Sequence, residues 1–168
     1  MKRIWTVLVV TAFTLTLPAH EQERGSAEVA IDGKEISINY GRPLLHGRNM
    51  LGRADSGMVW RMGTDQATSL VTEADLVFGD IRVAKGRYSL FAKKLGPDKW
   101  ELLVNSETDI WGTNHNPEKD VAAIPLQARD LESSVEMFTI TLESKGPNSA
   151  EFYMAWGTKE LRADFQVK

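Results

Sequence analysis

Arginine and glycine recur through one long irregular stretch of the chain, Gly41–Gly63. A guanidinium group offers a planar set of donors that suits carboxylate or phosphate oxygens, and glycine lets the backbone approach a ligand closely. This combination predicts a pocket for an anion or another polar ligand. Its candidate residues are Arg42, Arg48, Trp60, Arg61 and Asp65.

The same stretch has a structural interpretation. Glycines form turns, and the arginines could pair with Asp55, Asp65 or Glu73 to hold a long loop against a sheet. Trp60 could stack on a sugar ring, although strand alternation favours a place for it in the core.

A second irregular stretch, Ser106–Asp120, contains the run Trp-Gly-Thr-Asn-His-Asn-Pro. Aromatic faces stack on sugar rings and amides bond to hydroxyl groups, so Trp111, Asn114 and His115 are candidates for a saccharide site. Asparagine, glycine and proline also suit an ordinary turn, which is the alternative.

Catalytic and cofactor motifs are weak in this sequence. The chain has no cysteine, and its three histidines, His20, His46 and His115, lack a spaced carboxylate motif, so no metal site is predicted. The run at Ser56 lacks the first glycine of a nucleophile elbow. No phosphate-cradling loop or dinucleotide fingerprint is present, and no cofactor is predicted.

The elements that would position these loops are short segments of period two, separated by turn residues. This pattern predicts strands, whereas the best helical candidate is interrupted by Pro125. The predicted strands cover 28–32, 34–40, 66–72, 76–78, 81–83, 87–93, 99–105, 122–129, 135–143, 151–156 and 160–167. The pairs Asp32-Gly33 and Gly79-Asp80 predict tight hairpin turns between neighbouring strands. About ten strands without helices predict an all-β fold, an antiparallel jelly-roll-like β-sandwich, with a closed β-barrel as the alternative.

The first residues resemble a secretory signal peptide. Lys2 and Arg3 precede the uncharged apolar run 4–17, which is shorter than a membrane span. We expect a signal peptide at 1–19, a disordered segment at 20–26 and a single β domain at 27–168. The mature protein would then be periplasmic or secreted, with no transmembrane anchor after cleavage.

Removal of residues 1–19, which contain two basic and no acidic residues, moves the formal net charge from −3 to −5. A mildly acidic surface argues against nucleic acid as a partner, because the phosphate backbone binds through basic side chains. A polar small molecule or a saccharide is the predicted partner, and the sequence leaves the oligomeric state open.

A set of short motifs is spread along the chain: Tyr40-Gly41-Arg42-Pro43, Gly47-Arg48, Gly52, Val59-Trp60-Arg61, Gly63, Ala67-Thr68, Gly86-Arg87-Tyr88-Ser89-Leu90-Phe91, Trp111-Gly112 and Trp156-Gly157. Together these motifs resemble a bacterial family of exported proteins, domain-of-unknown-function family 2911. The resemblance covers about residues 27–167 and implies an exported, predominantly β domain with no assigned activity, cofactor or catalytic residues.

These observations favour a non-enzymatic binding or interaction module for a polar, anionic or saccharide ligand. The alternative is an envelope-associated hydrolase that acts on a saccharide or polymer, with Arg61 and Asp65 or His115 as polar participants. A third possibility is an assembly domain that presents an edge strand to a partner.

Overall fold

The computed structural model describes residues 24–168, so the predicted signal peptide lies outside the described residues. Residues 24–168 contain ten strands and a single turn of 3-10 helix at Pro117–Lys119. Within this part of the chain no helix is long and apolar enough to cross a membrane. The strands are β1 (Arg24–Ile31), β2 (Lys34–Gly41), β3 (Val59–Trp60), β4 (Thr68–Thr72), β5 (Leu76–Phe78), β6 (Ile81–Val83), β7 (Gly86–Gly96), β8 (Lys99–Asn105), β9 (Asp120–Gly146) and β10 (Ser149–Val167).

All of these strands belong to one antiparallel sheet in the order β1-β2-β4-β7-β8-β9-β10-β5-β6, with the short β3 paired to β7. The sheet folds over on itself, because residues of β1 and β2 share one core with residues of β9 and β10. Tyr40 of β2, for example, donates its hydroxyl to the carbonyl of Ile140 in β9. The predicted all-β antiparallel fold is confirmed, and the sheet is open rather than a closed barrel.

Two predicted turns explain how neighbouring strands reverse direction. Asp32 and Gly33 both have positive φ, 49° and 71°, as a two-residue hairpin turn with a right-handed twist requires. Gly79, between β5 and β6, also has positive φ. The sequence therefore located both tight hairpins.

The first strand begins earlier than expected. Arg24, Gly25 and Ser26, part of the segment predicted to be disordered, pair with residues 39–41 of β2. The Arg24 Nε donates to Asn39 Oδ1 at 2.6 Å. A hydrogen bond between polar side chains, rather than the burial of apolar ones, therefore supports the pairing of β1 with β2 here. Residues 20–23 of that segment lie outside the described residues.

The last two strands are longer than the sequence indicated. Segments predicted as four strands join into β9 and β10, which remain paired through register shifts near Gly157. Gly157 has φ 65°, a conformation that glycine adopts without a steric penalty. A bulge adds residues and bends a strand without ending it, which is why the turn-like composition here produced no break.

The main core lies between the folded halves of the sheet. Along β10, Leu161, Ala163, Phe165 and Val167 are buried, as their alternation predicted. An aromatic cluster closes one part of this core, in which Trp60 stacks on Trp156 with ring centroids 5.5 Å apart. Other rings of the cluster are Tyr40 and Phe138.

A smaller apolar cluster lies on the opposite face of the sheet. It consists of Ala67, Phe91 and Leu103, with Val59 and Ile110 packed against it. Because Phe91 follows Leu90 in β7, the two side chains point to opposite faces, and Leu90 belongs to the main core. This second cluster is where the long loops cover the sheet.

A network of charges connects the two halves of β10 to β9. Glu151 and Glu160 have side chains only 5% and 6% exposed, and each contacts cations on both sides. Arg162 reaches both of them, at 2.9 Å to Glu151 and 3.3 Å to Glu160. Lys145 contacts Glu151 at 3.0 Å and Arg129 contacts Glu160 at 2.9 Å, so both buried carboxylates are paired.

Candidate functional site

The two long irregular stretches meet over the face of the sheet that carries the smaller apolar cluster. Gln66 and Trp111 form an antiparallel bridge. On either side of it, the Ala67 N–H donates to the Ile110 carbonyl at 3.0 Å and the Gly112 N–H donates to the Asp65 carbonyl at 2.8 Å. These backbone hydrogen bonds join the segment after Gly63 to the loop between β8 and β9.

Gly112 is the point of closest approach. An added Cβ at this position would lie 2.7 Å from Cδ of Arg61 and 2.9 Å from the carbonyl oxygen of Asp65. Only glycine leaves room for the Arg61 side chain to pass over the backbone of the second loop. The Trp-Gly pair singled out in the sequence therefore has a steric role here.

Left-handed backbone conformations turn the chain sharply just after Arg61. Met62, Gly63 and Asp65 have φ of 51°, 149° and 59°. Met62 is fully buried, and its carbonyl accepts a 2.5 Å hydrogen bond from the buried hydroxyl of Thr68. A left-handed methionine costs of order 1 kcal/mol and persists only where surrounding contacts fix it, a feature common at functional sites.

A hollow of about 390 Å³ opens where the two stretches meet. We call it the loop hollow. Its volume is within the range of about 300–1,000 Å³ that is usual for small-molecule sites. Aromatic and aliphatic walls surround a few polar groups, and the lining residues are Val59, Trp60, Arg61, Phe91, Gly112, Thr113 and His115.

Arg61 brings a cation to the loop hollow. Its Nε donates to the carbonyl of Gly63 at 3.2 Å, which fixes the plane of the guanidinium. Among residues 24–168 no acidic side chain forms an ion pair with it, and its two terminal nitrogens have no hydrogen-bond partner. The outer donors of a partly buried guanidinium are thus available to a ligand.

His115 brings an imidazole whose orientation is fixed from behind. Its Nε2 lies 2.9 Å and 3.0 Å from the two carboxylate oxygens of Asp120, and the two side chains are only 14% and 19% exposed. The ring packs on Phe91 with centroids 4.6 Å apart. Asp120 is held in turn by Asn105, a fully buried side chain whose Nδ2 donates to Oδ1 at 2.8 Å.

Two other hollows of similar size each contain a cation that is already paired with carboxylates. One, of about 430 Å³, contains Lys159, which contacts Asp98 at 2.7 Å and Asp130 at 2.9 Å. Hydrogen bonds to those carboxylates raise the pKa of Lys159, and the bond from Lys159 lowers the pKa of Asp98. The other, of about 420 Å³, contains Arg162, which belongs to the buried charge network.

Comparison with known families gives one match. Residues 22–165 match the family described as Protein of unknown function (DUF2911). The chain belongs to this family. The resemblance seen in the motifs is confirmed, and DUF2911 carries no assigned activity. No curated protein and no solved structure matches the chain.

In this DUF2911 protein some of the predicted site residues lie in or beside the loop hollow, and the others lie away from it. Trp60, Arg61 and His115 line the loop hollow. Trp111 is 49% exposed beside Gly112, and Asn114 is exposed in the turn that follows, where its N–H donates to the carbonyl of Trp111.

The other predicted residues lie elsewhere or play a different role. Arg48 donates to the carbonyls of Leu45 and Leu44, so it stabilises its own loop. Arg42 lies outside the lining of the loop hollow and packs against Gly25. The backbone of Asp65 joins the two stretches, and its carboxylate acts on Arg24, whose pKa is lowered by burial while Asp65 opposes that shift.

Sequence reasoning missed the residues that orient His115. Asp120 follows His115 after a proline-containing turn, and Asn105 ends the preceding strand. The 3-10 turn between His115 and Asp120 has Asn116 as its N-cap, and the Asn116 side chain accepts from the Glu118 N–H. A recognisable capping pattern therefore brings Asp120 back to His115. No three metal-binding side chains cluster anywhere in residues 24–168.

Proposed function

We propose that this protein is a binding module of the bacterial envelope that recognises a saccharide with a carboxylate or acyl group in the loop hollow. One observation carries the proposal: the two long loops, each of which the sequence nominated separately, join to form a single hollow lined by Arg61 and His115. The predicted export of the chain would bring the site into contact with envelope polysaccharides.

The chemistry of the lining matches this class of ligand. The terminal nitrogens of Arg61, which have no hydrogen-bond partner among residues 24–168, suit an oxygen-rich group, and charge-assisted hydrogen bonds of this kind are about twice as strong as neutral ones. Phe91 and Val59 provide apolar walls, while the exposed Trp111 beside Gly112 offers a flat face for a sugar ring. The ligand is thus expected to combine one charged or carbonyl group with an apolar ring face.

Calorimetric titration of the mature protein with glucuronic acid, O-acetylated glucose and glucose tests the proposal. We expect the first two to bind and glucose to bind more weakly. Arg61→Gln should weaken binding about 10–100-fold, because a hydrogen bond to a charged group contributes about 1.5–3 kcal/mol.

Arg53→Gln is the matched control, because Arg53 is exposed in the same arginine-rich stretch and does not line the loop hollow. The control should bind like the wild type. An equal loss in both variants, or no binding of any of these sugars, would contradict the proposal.

The hydrolase alternative has one observation in its favour. A hydrolase needs a group that accepts a proton from water, and His115 faces the loop hollow with Asp120 behind it. A binding module has no need of such an arrangement, although the same contacts also tie the second loop to β9.

A further inference from the structure

We infer that the loop hollow hydrolyses O-acyl esters of saccharides, with His115 as the general base. This inference rests on the proposed function, because it assigns a reaction to the same site. Three features carry it: a histidine held by a carboxylate, a cation that forms no ion pair with an acidic side chain of residues 24–168, and an apolar wall beside both.

The hydrogen-bond network selects the tautomer of His115. Asp120 accepts from Nε2, so in the neutral ring the proton is on Nε2 and Nδ1 carries a lone pair. No side chain or backbone group of residues 24–168 bonds to Nδ1. The nitrogen that can take a proton is therefore available in a residue that lines the hollow.

Asn105 holds the carboxylate in place from the other side. Its Nδ2 donates both to Asp120 Oδ1 and to the Asn116 carbonyl, each at 2.8 Å, and its Oδ1 accepts from the Glu107 N–H at 3.0 Å. Each polar atom of this fully buried side chain has a partner. Asp120 and Asn105 are positioning residues, since they act through His115.

Arg61 and the apolar walls define the substrate. The terminal nitrogens of Arg61 can donate to a carbonyl oxygen that becomes negative during attack, as oxyanion-stabilising groups do. Val59 and Phe91 form an apolar surface that suits a short acyl group such as acetyl. The sugar would extend toward the exposed face of Trp111.

The reaction requires only water as a co-reactant. The water oxygen bonds to the acyl carbon while His115 Nδ1 takes one of its protons, and the carbonyl electron pair moves to the oxygen that faces Arg61. The tetrahedral intermediate then re-forms its carbonyl and breaks the bond to the sugar oxygen. That oxygen takes the proton from His115, which leaves a free sugar hydroxyl and a carboxylic acid.

Release of acetate from O-acetylated glucose, followed by proton NMR with the mature protein, tests the inference. His115→Asn should lower the rate at least about 10²-fold, the usual contribution of a general base. Its matched control is His46→Asn, because His46 is exposed, lies outside the loop hollow and has φ 48°, a conformation that asparagine tolerates. The control should keep the wild-type rate.

Asp120→Asn distinguishes catalysis from simple loop stability. An amide can donate to Nε2 and favour the wrong tautomer, so kcat should fall about 10²-fold or more while KM changes only a few-fold. Should His115→Asn fail to fold, His115→Ala with added imidazole decides the matter. Restoration of acetate release by imidazole supports the inference, and its absence contradicts it.

The outcomes also separate this inference from the binding proposal. Binding of O-acetylated glucose without acetate release overturns the reaction and leaves the binding module intact. An undiminished rate in His115→Asn overturns the assigned base. No binding and no release of acetate reject both.

Discussion

Replacement of Gly112 by alanine tests the contact between the two loops. The new Cβ would lie 2.7 Å from the Arg61 side chain and 2.9 Å from the Asp65 carbonyl, both well inside the 3.4 Å at which ordinary contacts begin. Arg61 can shift, but the carbonyl is backbone and accepts the 2.8 Å hydrogen bond from Gly112 itself. Relief of the overlap therefore separates the loops.

The expected cost follows from these contacts. Overpacking of this kind costs about 1–3 kcal/mol, and a weakened buried hydrogen bond adds about 1 kcal/mol. A total of about 3 kcal/mol should lower the Tm by about 6–12 °C for a domain of this size. Thermal unfolding followed by circular dichroism measures the change.

Gly96→Ala is the matched control, because an added Cβ there meets nothing within 4 Å. Its stability should stay within about 0.5 kcal/mol of the wild type. If Gly112→Ala unfolds at the same temperature as the control, the loops do not approach each other as described, and the loop hollow loses its basis.

Three further predictions concern the scaffold. Leu161→Ala should destabilise the fold by about 2–5 kcal/mol in urea unfolding, because Leu161 is fully buried, whereas Leu95→Ala, at 46% exposure, should change it by less than about 0.5 kcal/mol. Glu151→Gln should lower the free energy of unfolding by about 2 kcal/mol, because Lys145 and Arg162 lose a buried counterion while they keep some access to water. An unchanged urea midpoint would contradict this. The Arg82 hydrogen bond lowers the pKa of Asp75, so Asp75 stabilises the folded state above its unfolded pKa of about 3.9 and this contribution is lost as the pH falls through the lower folded value. The urea midpoints of wild type and Asp75→Asn should therefore differ near neutral pH and draw together as the pH falls below the unfolded pKa, and a gap independent of pH would refute the assignment.

Alternation and turn chemistry were enough to predict most of the fold. Asp32-Gly33 located the first hairpin, and the alternating residues of 160–167 identified a half-buried strand. The continuity of β9 and β10 was not predictable in this way. Both strands cross bulges near Gly157, where local composition resembles a turn and only the pairing of neighbouring strands keeps the segment extended.

The candidate site could be predicted only in part, for a physical reason. Residue type nominated Arg61 and His115, because guanidinium and imidazole groups have recognisable chemistry. It nominated Arg48 equally, and that side chain bonds to carbonyls of its own loop. Which arginine faces a hollow depends on the bridge between Gln66 and Trp111, a tertiary contact with no local signal.

A nitrogen-15 NMR titration of the mature protein with O-acetylated glucose tests most directly whether the two loops form one site. We expect the amide signals of Arg61 in the first stretch and of Gly112–His115 in the second to shift together along one binding curve, while the signal of Arg48 stays unchanged. Shifts confined to one loop, or centred on another surface, would contradict the claim that the two loops form a single site.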